Sequence, residues 1–301
     1  MLKTQYYLIC IFLCVIISTN KICAADNYSN ALKIFSEGKF FRASVEFERV
    51  IFYEHNNVRV AQCRYYKALC YNGLGDAKRA LNELDEINMI RVPDSLFVLI
   101  RYEQAFCNFL INEPGKALWN LEEIRAKSSD STVPEKILPL NVICLNALRK
   151  WDESILLLNR FIDNSSLADS AKSNLRQEVE GLYSKRTLPK FHSPTKAENL
   201  SRFVPGSGQI YSGEFFEGSF NFLMNATLLG FAFYQFYTEC YFTGYVVGLT
   251  LFNKTYHGGM HRANLLATQK NLKSMSEFNI NVTGLVLKII ELEKTKTAPA
   301  S

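Results

Sequence analysis

The sequence lacks the short motifs that carry most enzyme chemistry. It contains no C-x-x-C pair, no phosphate loop ending in G-K-[ST], and no recognisable grouping of serine, histidine and aspartate. The formal net charge is +5, and its basic residues form no long stripe of the kind that follows a nucleic-acid backbone. We therefore expect a protein that is not an enzyme, holds no cofactor or metal, and has no nucleic-acid partner.

The cysteines match neither a disulfide framework nor a zinc site. Of the eight, those at positions 10, 14 and 23 lie in the N-terminal segment. The other five form an odd number without paired spacing: Cys63, Cys70, Cys107, Cys144 and Cys240.

The N-terminal segment is typical of a secretory signal. Lys3 precedes the uncharged run at residues 6–18, and Ala24 and Ala25 are small enough for cleavage. As a helix this run rises roughly 20 Å, which is shorter than the core of a bilayer. We predict a signal peptide at residues 1–25, with an uncleaved anchor as the alternative.

A pattern with a period of 37 residues follows the signal. A small residue is followed four positions later by a large apolar one, and this pair recurs four times, as Ala43 and Phe47, Ala80 and Leu84, Ala117 and Leu121, and Ser154 and Leu158. Such spacing predicts the buried stripe of an amphipathic helix in each repeat. Three cysteines, at positions 70, 107 and 144, share one column of this register, so we interpret them as small buried hydrophobic residues.

The segment Gly38-Lys39-Phe40-Phe41-Arg42-Ala43, with Phe47 and Val50 after it, resembles a tetratricopeptide repeat. The resemblance implies stacked helical hairpins over residues 26–184, with a groove for a protein or peptide ligand. An unrelated helical solenoid is the alternative, and it gives the same general shape.

Residues 185–203 are basic and contain prolines, which predicts a linker. An uncharged run at residues 218–237 and a second apolar run at 241–252 come next, separated by Glu239. Their lengths predict two antiparallel transmembrane helices, so the fold class is all-α, a solenoid followed by a transmembrane hairpin. We place the hairpin at residues 204–275 and a tail at 276–301.

The entry to this hairpin resembles the P-G-x-G-Q-x-Y-x-G motif of small bacterial two-helix membrane domains. The matching residues are Pro205, Gly206, Gly208, Gln209, Tyr211 and Gly213. A G-x-x-x-G pair, Gly244 and Gly248, permits close helix contact, and a stretch with Gly258, Gly259 and Arg262 resembles the end of the second span in such domains. Pairing with tetratricopeptide repeats is familiar from the Bacteroidetes group, and the role of these domains is generally unassigned.

The orientation signals disagree. Basic residues flank both ends of the hairpin, which favours cytoplasmic repeats, whereas the signal peptide favours export. We expect an inner-membrane protein with periplasmic repeats, and cytoplasmic repeats are the alternative.

The expected function is a membrane-anchored scaffold that binds a protein or peptide at the bacterial envelope, with the lipid bilayer as a second partner. The alternative is a component of an envelope transport or assembly complex that acts through the hairpin.

Overall fold

The computed structural model describes residues 27–128 and 132–297, and all of the following concerns these residues. They form helices and turns without a β-strand, which confirms the all-α prediction. The predicted signal peptide at residues 1–25 lies outside the described residues. The chain divides into two compact units, the first up to Arg176 together with the residues from Leu292 onward, the second Gln177–Glu291.

The first unit contains four helical hairpins. Their helices are α1 (residues 27–36) and α2 (Phe40–Tyr53), α3 (Asn57–Gly73) and α4 (Ala77–Asp85), α5 (Asp94–Leu110) and α6 (Pro114–Lys127), and α7 (Val133–Lys136) with α8 (Leu138–Ala147) and α9 (Trp151–Asn164). Pro139 has no N–H to continue the ladder, which accounts for the break between α7 and α8. Helix α10 (Asp169–Leu182) follows the fourth hairpin, and its last residues belong to the second unit.

The small and large apolar residues of the register form the core of these hairpins. All eight are fully buried, with 0% exposure: Ala43, Phe47, Ala80, Leu84, Ala117, Leu121, Ser154 and Leu158. The hydroxyl of Ser154, which replaces alanine, donates a hydrogen bond to the Val142 carbonyl oxygen at 3.3 Å, so the polar atom has a partner.

The backbone repeats with the same period. The turn inside each hairpin contains one residue with a positive φ, namely Gly38 (74°), Gly75 (80°), Asn112 (65°) and Arg149 (62°). These positions are 37 residues apart, and each directly follows or lies close to the end of the first helix of its hairpin. A left-handed residue there ends the helix and turns the chain back. The turn geometry is therefore constant although the residue is not.

Polar contacts between and within the hairpins repeat as well. Lys67 Nζ lies 2.6 Å from Glu48 Oε2, and one repeat later Gln104 Nε2 donates to Asp85 Oδ1 at 2.7 Å. The ion pair between Arg64 and Glu86 likewise has its equivalent in Arg101 and Glu123, at 2.6 and 2.8 Å. Equivalent positions thus make equivalent contacts with different side chains.

The second unit contains a long helical hairpin. Its elements are α11 (Pro194–Phe203), α12 (Ser207–Tyr211), α13 (Phe215–Tyr237), α14 (Tyr241–Thr243), a π-helical stretch (Gly244–Leu249) and α15 (Thr250–Thr297). The chain reverses at Glu239, whose φ is 62°. α15 ends in the first unit.

Two predicted segments differ from the structure. Residues 194–203 of the predicted linker are helical, because Ser193 caps the N–H of Lys196 and Pro194 occupies the first turn. The predicted tail does not begin at residue 276, since α15 runs unbroken to Thr297 and buries an apolar stripe at Phe278, Val282, Val286 and Ile289.

Among the described helices, none combines the length and the apolar character needed to cross a membrane. The assignment of the two hairpin helices as transmembrane spans is therefore not supported by this finding. The polar residues Asn221, Asn225 and Gln235 are distributed along α13 and lower its mean hydropathy.

The left-handed turn is testable at Gly75, where a methyl group would meet no neighbouring atom but the φ of 80° would remain. We expect Gly75→Ala to lower the free energy of unfolding by about 1 kcal/mol, because an L-residue is strained in this region. Urea unfolding followed by the fluorescence of the two tryptophans, Trp119 and Trp151, reports on the first unit.

Gly115→Ala is the matched control, because Gly115 is helical and its Cβ would also meet no atom. It should raise the stability by about 0.5 kcal/mol. Equal effects of both substitutions would contradict the role of the turn.

Candidate functional site

The first helices of the hairpins present a second repeated pattern, which faces outward. Tyr28, Tyr65 and Tyr102 are 37 residues apart, and each is half-buried. Four positions after each tyrosine, and after the equivalent Pro139, comes another partly exposed apolar residue. We call this surface the tyrosine face and define it by Tyr28, Leu32, Tyr65, Leu69, Tyr102, Phe106 and Ile143.

The tyrosine face is the candidate binding surface of the first unit. The signature residues of the second helices are fully buried and therefore pack the core. The first helices keep aromatic and aliphatic side chains in contact with solvent, and α3 packs against α5 so that successive columns lie side by side. Repeat proteins use such a continuous surface of stacked hairpins for binding. Sequence reasoning missed these columns, although the 37-residue spacing of the tyrosines is visible in it.

The cysteines of the first unit are packed rather than reactive. Cys63, Cys70, Cys107 and Cys144 are fully buried. Burial raises the pKa of the first, second and fourth thiols to about 12 and that of Cys107 to about 11. A thiol is a nucleophile only as its thiolate, so these groups are chemically quiet. Cys240, at the tip of the hairpin, is exposed.

The glycine motif of the second unit lies at the foot of the hairpin, where it lets backbones meet. Pro205 and Gly206 form the turn between α11 and α12, and Gly206 has a φ of 88°. A Cβ on Gly206 would lie 2.0 Å from the Gly218 carbonyl oxygen, and one on Gly208 would lie 1.9 Å from that of Ala197. No other residue fits these two positions without displacing main chain.

Gln209 joins the foot to the second arm of the hairpin. Its side chain is fully buried, and its Oε1 accepts a hydrogen bond from the Ser201 hydroxyl at 3.0 Å. Its Nε2 donates to the carbonyl oxygen of Gly259 on α15, also at 3.0 Å. The Ser201 hydroxyl in turn accepts the N–H of Gly208. A buried amide with both ends bonded specifies how the helices meet.

The remaining entry residues hold the outer side of the foot. The Tyr211 hydroxyl accepts the N–H of Ser193 at 3.3 Å, and its ring lies 5.1 Å from the His192 ring. Gly213 has a φ of 92°, and a Cβ there would lie 2.3 Å from Lys270 Nζ. The contacts of the motif residues therefore hold the helices of the foot together.

Arg262 forms a two-pronged ion pair across the two arms. Its Nε lies 2.7 Å from Glu217 Oε1 and its Nη2 lies 3.1 Å from Glu217 Oε2. Both side chains are partly exposed, so the pair mainly fixes geometry.

Further along the hairpin, the other glycines differ in role. A Cβ on Gly248 would lie 2.6 Å from Ala232 Cβ, and one on Gly259 would lie 2.7 Å from Asn221 Nδ2. A Cβ on Gly244 would be less crowded, at 3.2 Å from Gln235 Cβ. A Cβ on Gly258 would meet nothing within 4 Å, so this position is open.

The seam of the hairpin contains polar residues that sequence reasoning missed. Asn225 is 1% exposed, and its Nδ2 donates to the Asn221 carbonyl oxygen at 2.8 Å. Thr255 Oγ1 on the opposite arm donates to Asn225 Oδ1 at 2.9 Å. The i, i+4 spacing of the two asparagines on an apolar helix is the signal that marks one face as polar.

The outward surface of the same hairpin is apolar and aromatic. Exposed residues cover α13, α14 and the π-helical stretch: Phe215, Phe216, Phe220, Phe222, Leu223, Phe231, Phe233, Tyr234, Tyr237, Tyr241, Phe242, Tyr245, Val246 and Val247. We call this surface the hairpin face. Soluble monomers rarely expose so many contiguous large apolar side chains without a partner.

Comparison with protein-family models, with curated proteins and with solved structures finds no match to this chain. The tetratricopeptide resemblance and that of the hairpin entry motif therefore stay predictions.

The burial of the thiols gives an expected labelling pattern. At pH 8 a maleimide should modify Cys240 rapidly and leave Cys63, Cys70, Cys107 and Cys144 unmodified until denaturant is added, because their thiolates are scarce and shielded. Mass spectrometry of the peptides assigns each site. Modification of Cys107 at the rate of Cys240 would contradict this packing.

The foot can be tested by adding a methyl group at two glycines. Gly208→Ala should open the contact with Ala197 and speed amide exchange in α11 and α12, because the new Cβ overlaps main chain. Gly258→Ala is the control, since it adds the same group to an open helical position. It should leave exchange there unchanged or slower.

Proposed function

We propose that this chain is a helical-repeat scaffold attached to a membrane by its hairpin face, and that its tyrosine face binds a protein or peptide. The observation that carries the proposal is the reversed polarity of the hairpin. Small and polar residues such as Gly248, Asn225 and Thr255 lie between the helices, while the large apolar residues of the hairpin face point outward.

Reversed polarity is expected where lipid rather than water surrounds a helix pair. In water, the hydrophobic effect would place Phe222 and Leu223 inside and Asn225 outside. In lipid, apolar side chains gain nothing from leaving the surface, and helices associate through small residues and interhelical hydrogen bonds. The contacts of Gly248 with Ala232 and of Asn225 with Thr255 are of these two kinds.

The mean hydropathy of α13 understates the character of its outer surface. An average over the helix includes Asn221, Asn225 and Gln235, all of which contact other hairpin residues. The hairpin face itself consists of phenylalanine, leucine, valine and tyrosine side chains. A helix with such a face can enter the bilayer together with its partner arm.

The ends of the hairpin support the same proposal. The 23 residues of α13 rise about 34 Å, close to the thickness of a hydrocarbon core. Three exposed tyrosines, Tyr237, Tyr241 and Tyr245, surround the tip, and the ion pair of Arg262 and Glu217 lies at the foot. Tyrosines and charged groups are enriched at the two surfaces of a membrane.

Membrane attachment can be tested with matched surface variants. Replacing Leu223, Phe231, Phe233 and Val246 by serine should release the protein from membranes into the carbonate wash, because these side chains supply the apolar area of the hairpin face. The control replaces exposed apolar residues of the first unit, Phe41, Phe52 and Leu156, and should leave attachment unchanged.

Recovery of the unaltered protein in the soluble fraction without detergent would contradict the proposal. A separate measurement, the labelling of Cys240 in intact cells by a reagent that does not cross membranes, reports on which side of the membrane the tip lies. We propose a tip in the cytoplasm, with the repeats on the periplasmic side.

A further inference from the structure

Glu103 is a buried acid on the first helix of the third hairpin, next to the tyrosine face. Its residue exposure is 9%, and its Oε1 accepts a hydrogen bond from Asn72 Nδ2 on α3. Asn72 is itself held in place, because the same Nδ2 lies 3.1 Å from the Cys107 sulfur. The carboxyl group therefore has a fixed position between α3 and α5.

The charge of Glu103 has no partner among the described residues. Two cations of α3 pair with other acids: Arg64 with Glu83 and Glu86, and Lys67 with Glu48 and Glu83. The second oxygen of Glu103, Oε2, accepts no hydrogen bond in the described chain, and it is not among the oxygens shut off from solvent. One carboxylate oxygen is thus open toward the outside.

Two tyrosines of the tyrosine face are near this carboxylate: Tyr102 precedes Glu103 on α5, and Tyr65 lies two turns before Asn72 on α3. The carboxylate acts on both Tyr65 and Tyr102, raising the pKa of each phenol in addition to the larger effect of burial. Burial also raises the pKa of Glu103, against the opposing hydrogen bond from Asn72. The other titratable group that senses the carboxylate is Cys107, which also senses Asp85.

Tyr28, the tyrosine of the first hairpin, has a cation over its ring, which Tyr65 and Tyr102 lack. The guanidinium of Arg59 lies 4.3 Å from the centre of the Tyr28 ring. One and two repeats later the positions equivalent to Arg59 hold Leu96 and Val133. Among the described residues no cation lies over the rings of Tyr65 or Tyr102. Of the three tyrosines in this column, only Tyr28 therefore has a cation from the chain itself.

We propose that Glu103, Tyr65 and Tyr102 form a subsite of the tyrosine face for a lysine or arginine side chain of the bound peptide. The apolar side chains of Leu69 and Phe106 flank this subsite. The inference rests on the peptide-binding role proposed for this face. An ammonium or guanidinium group there pairs with Oε2 and lies against the tyrosine rings. It supplies the positive charge that the buried carboxylate lacks.

The competing explanation is a neutral carboxyl group that only bonds Asn72. Glu103→Gln separates the two, because the amide oxygen can still accept from Asn72 while the charge is gone. At neutral pH this variant should be more stable than the unaltered protein. Because the pKa of Glu103 is raised in the folded state, the unaltered protein loses folding stability as the pH rises through that pKa, and the variant does not. The subsite, by contrast, should be lost.

The direct test uses short capped peptides of leucine and alanine with one central lysine, and the same peptides with glutamine or glutamate. Fluorescence anisotropy with the full chain in detergent should show the lysine peptide binding on the order of tenfold more tightly than the glutamine peptide. In Glu103→Gln this preference should vanish. The control Glu123→Gln changes an acid of α6 that already pairs with Arg101, and it should keep the preference.

A second readout does not depend on the peptide sequence. Carbon-13 NMR of labelled glutamate follows the titration of the Glu103 carboxyl, and n-butylammonium chloride should move it to lower pH than sodium chloride at equal ionic strength. Peptide binding without preference for lysine, with no such movement, overturns the subsite and leaves the scaffold proposal standing. Failure of every peptide to bind, with no such movement, overturns both. A movement with butylammonium alone supports the subsite and contradicts only the peptide role.

Discussion

Close approach of helices at small residues is the constraint on which both units depend. In the first unit the small residues Ala43, Ala80, Ala117 and Ser154 are fully buried where the second helix of each hairpin packs against its neighbours. In the second unit the approach is closer, because Gly206 and Gly208 put main chain against main chain. In the first unit, the large apolar residue four positions after each small one lies one turn further along the same face of the helix, and is therefore buried as well.

The two units use that contact with opposite polarity. Around Phe47 the apolar side chains turn inward, and the ion pairs of Lys67 lie at the junctions between helices. In the hairpin the polar groups of Asn225 and Thr255 meet inside, and phenylalanines face outward. Chain composition alone does not distinguish these arrangements, since both are helical and nearly half of the sequence is hydrophobic. What differs is which face of the helix meets its partner.

Much of the fold was predictable because its signals are local and periodic. The 37-residue register marks the four hairpins, since each small residue and the large residue after it occupy one helical stripe. The linker prediction failed for a local reason: a proline inside a helix breaks it, whereas Pro194, which follows the N-cap Ser193, begins α11. The unbroken α15 was not predicted, because the apolar residues from Phe278 to Ile289 are separated by polar ones and only their burial identifies the stripe.

The candidate sites depended on contacts between distant residues, and these are not periodic. The sequence shows the motif glycines. It does not show that Gln209 bonds Ser201 and the Gly259 carbonyl group, because these partners depend on how α11, α12 and α15 meet. In the same way, Glu103 is an ordinary helix residue in the sequence. Only its burial and its hydrogen bond from Asn72, without an ion-pair partner among the described residues, make it distinctive.

The repeated contact between hairpins has a consequence for their order. Lys67 faces two acids, Glu48 and Glu83, whereas one repeat later Gln104 faces Asp85 and the position of the second acid holds Asn120. A chain with α3 and α5 exchanged would leave two carboxylates beside a neutral amide at one junction. The hairpins are therefore alike in shape but not interchangeable as modules, since each junction accepts only the neighbour whose charge completes it.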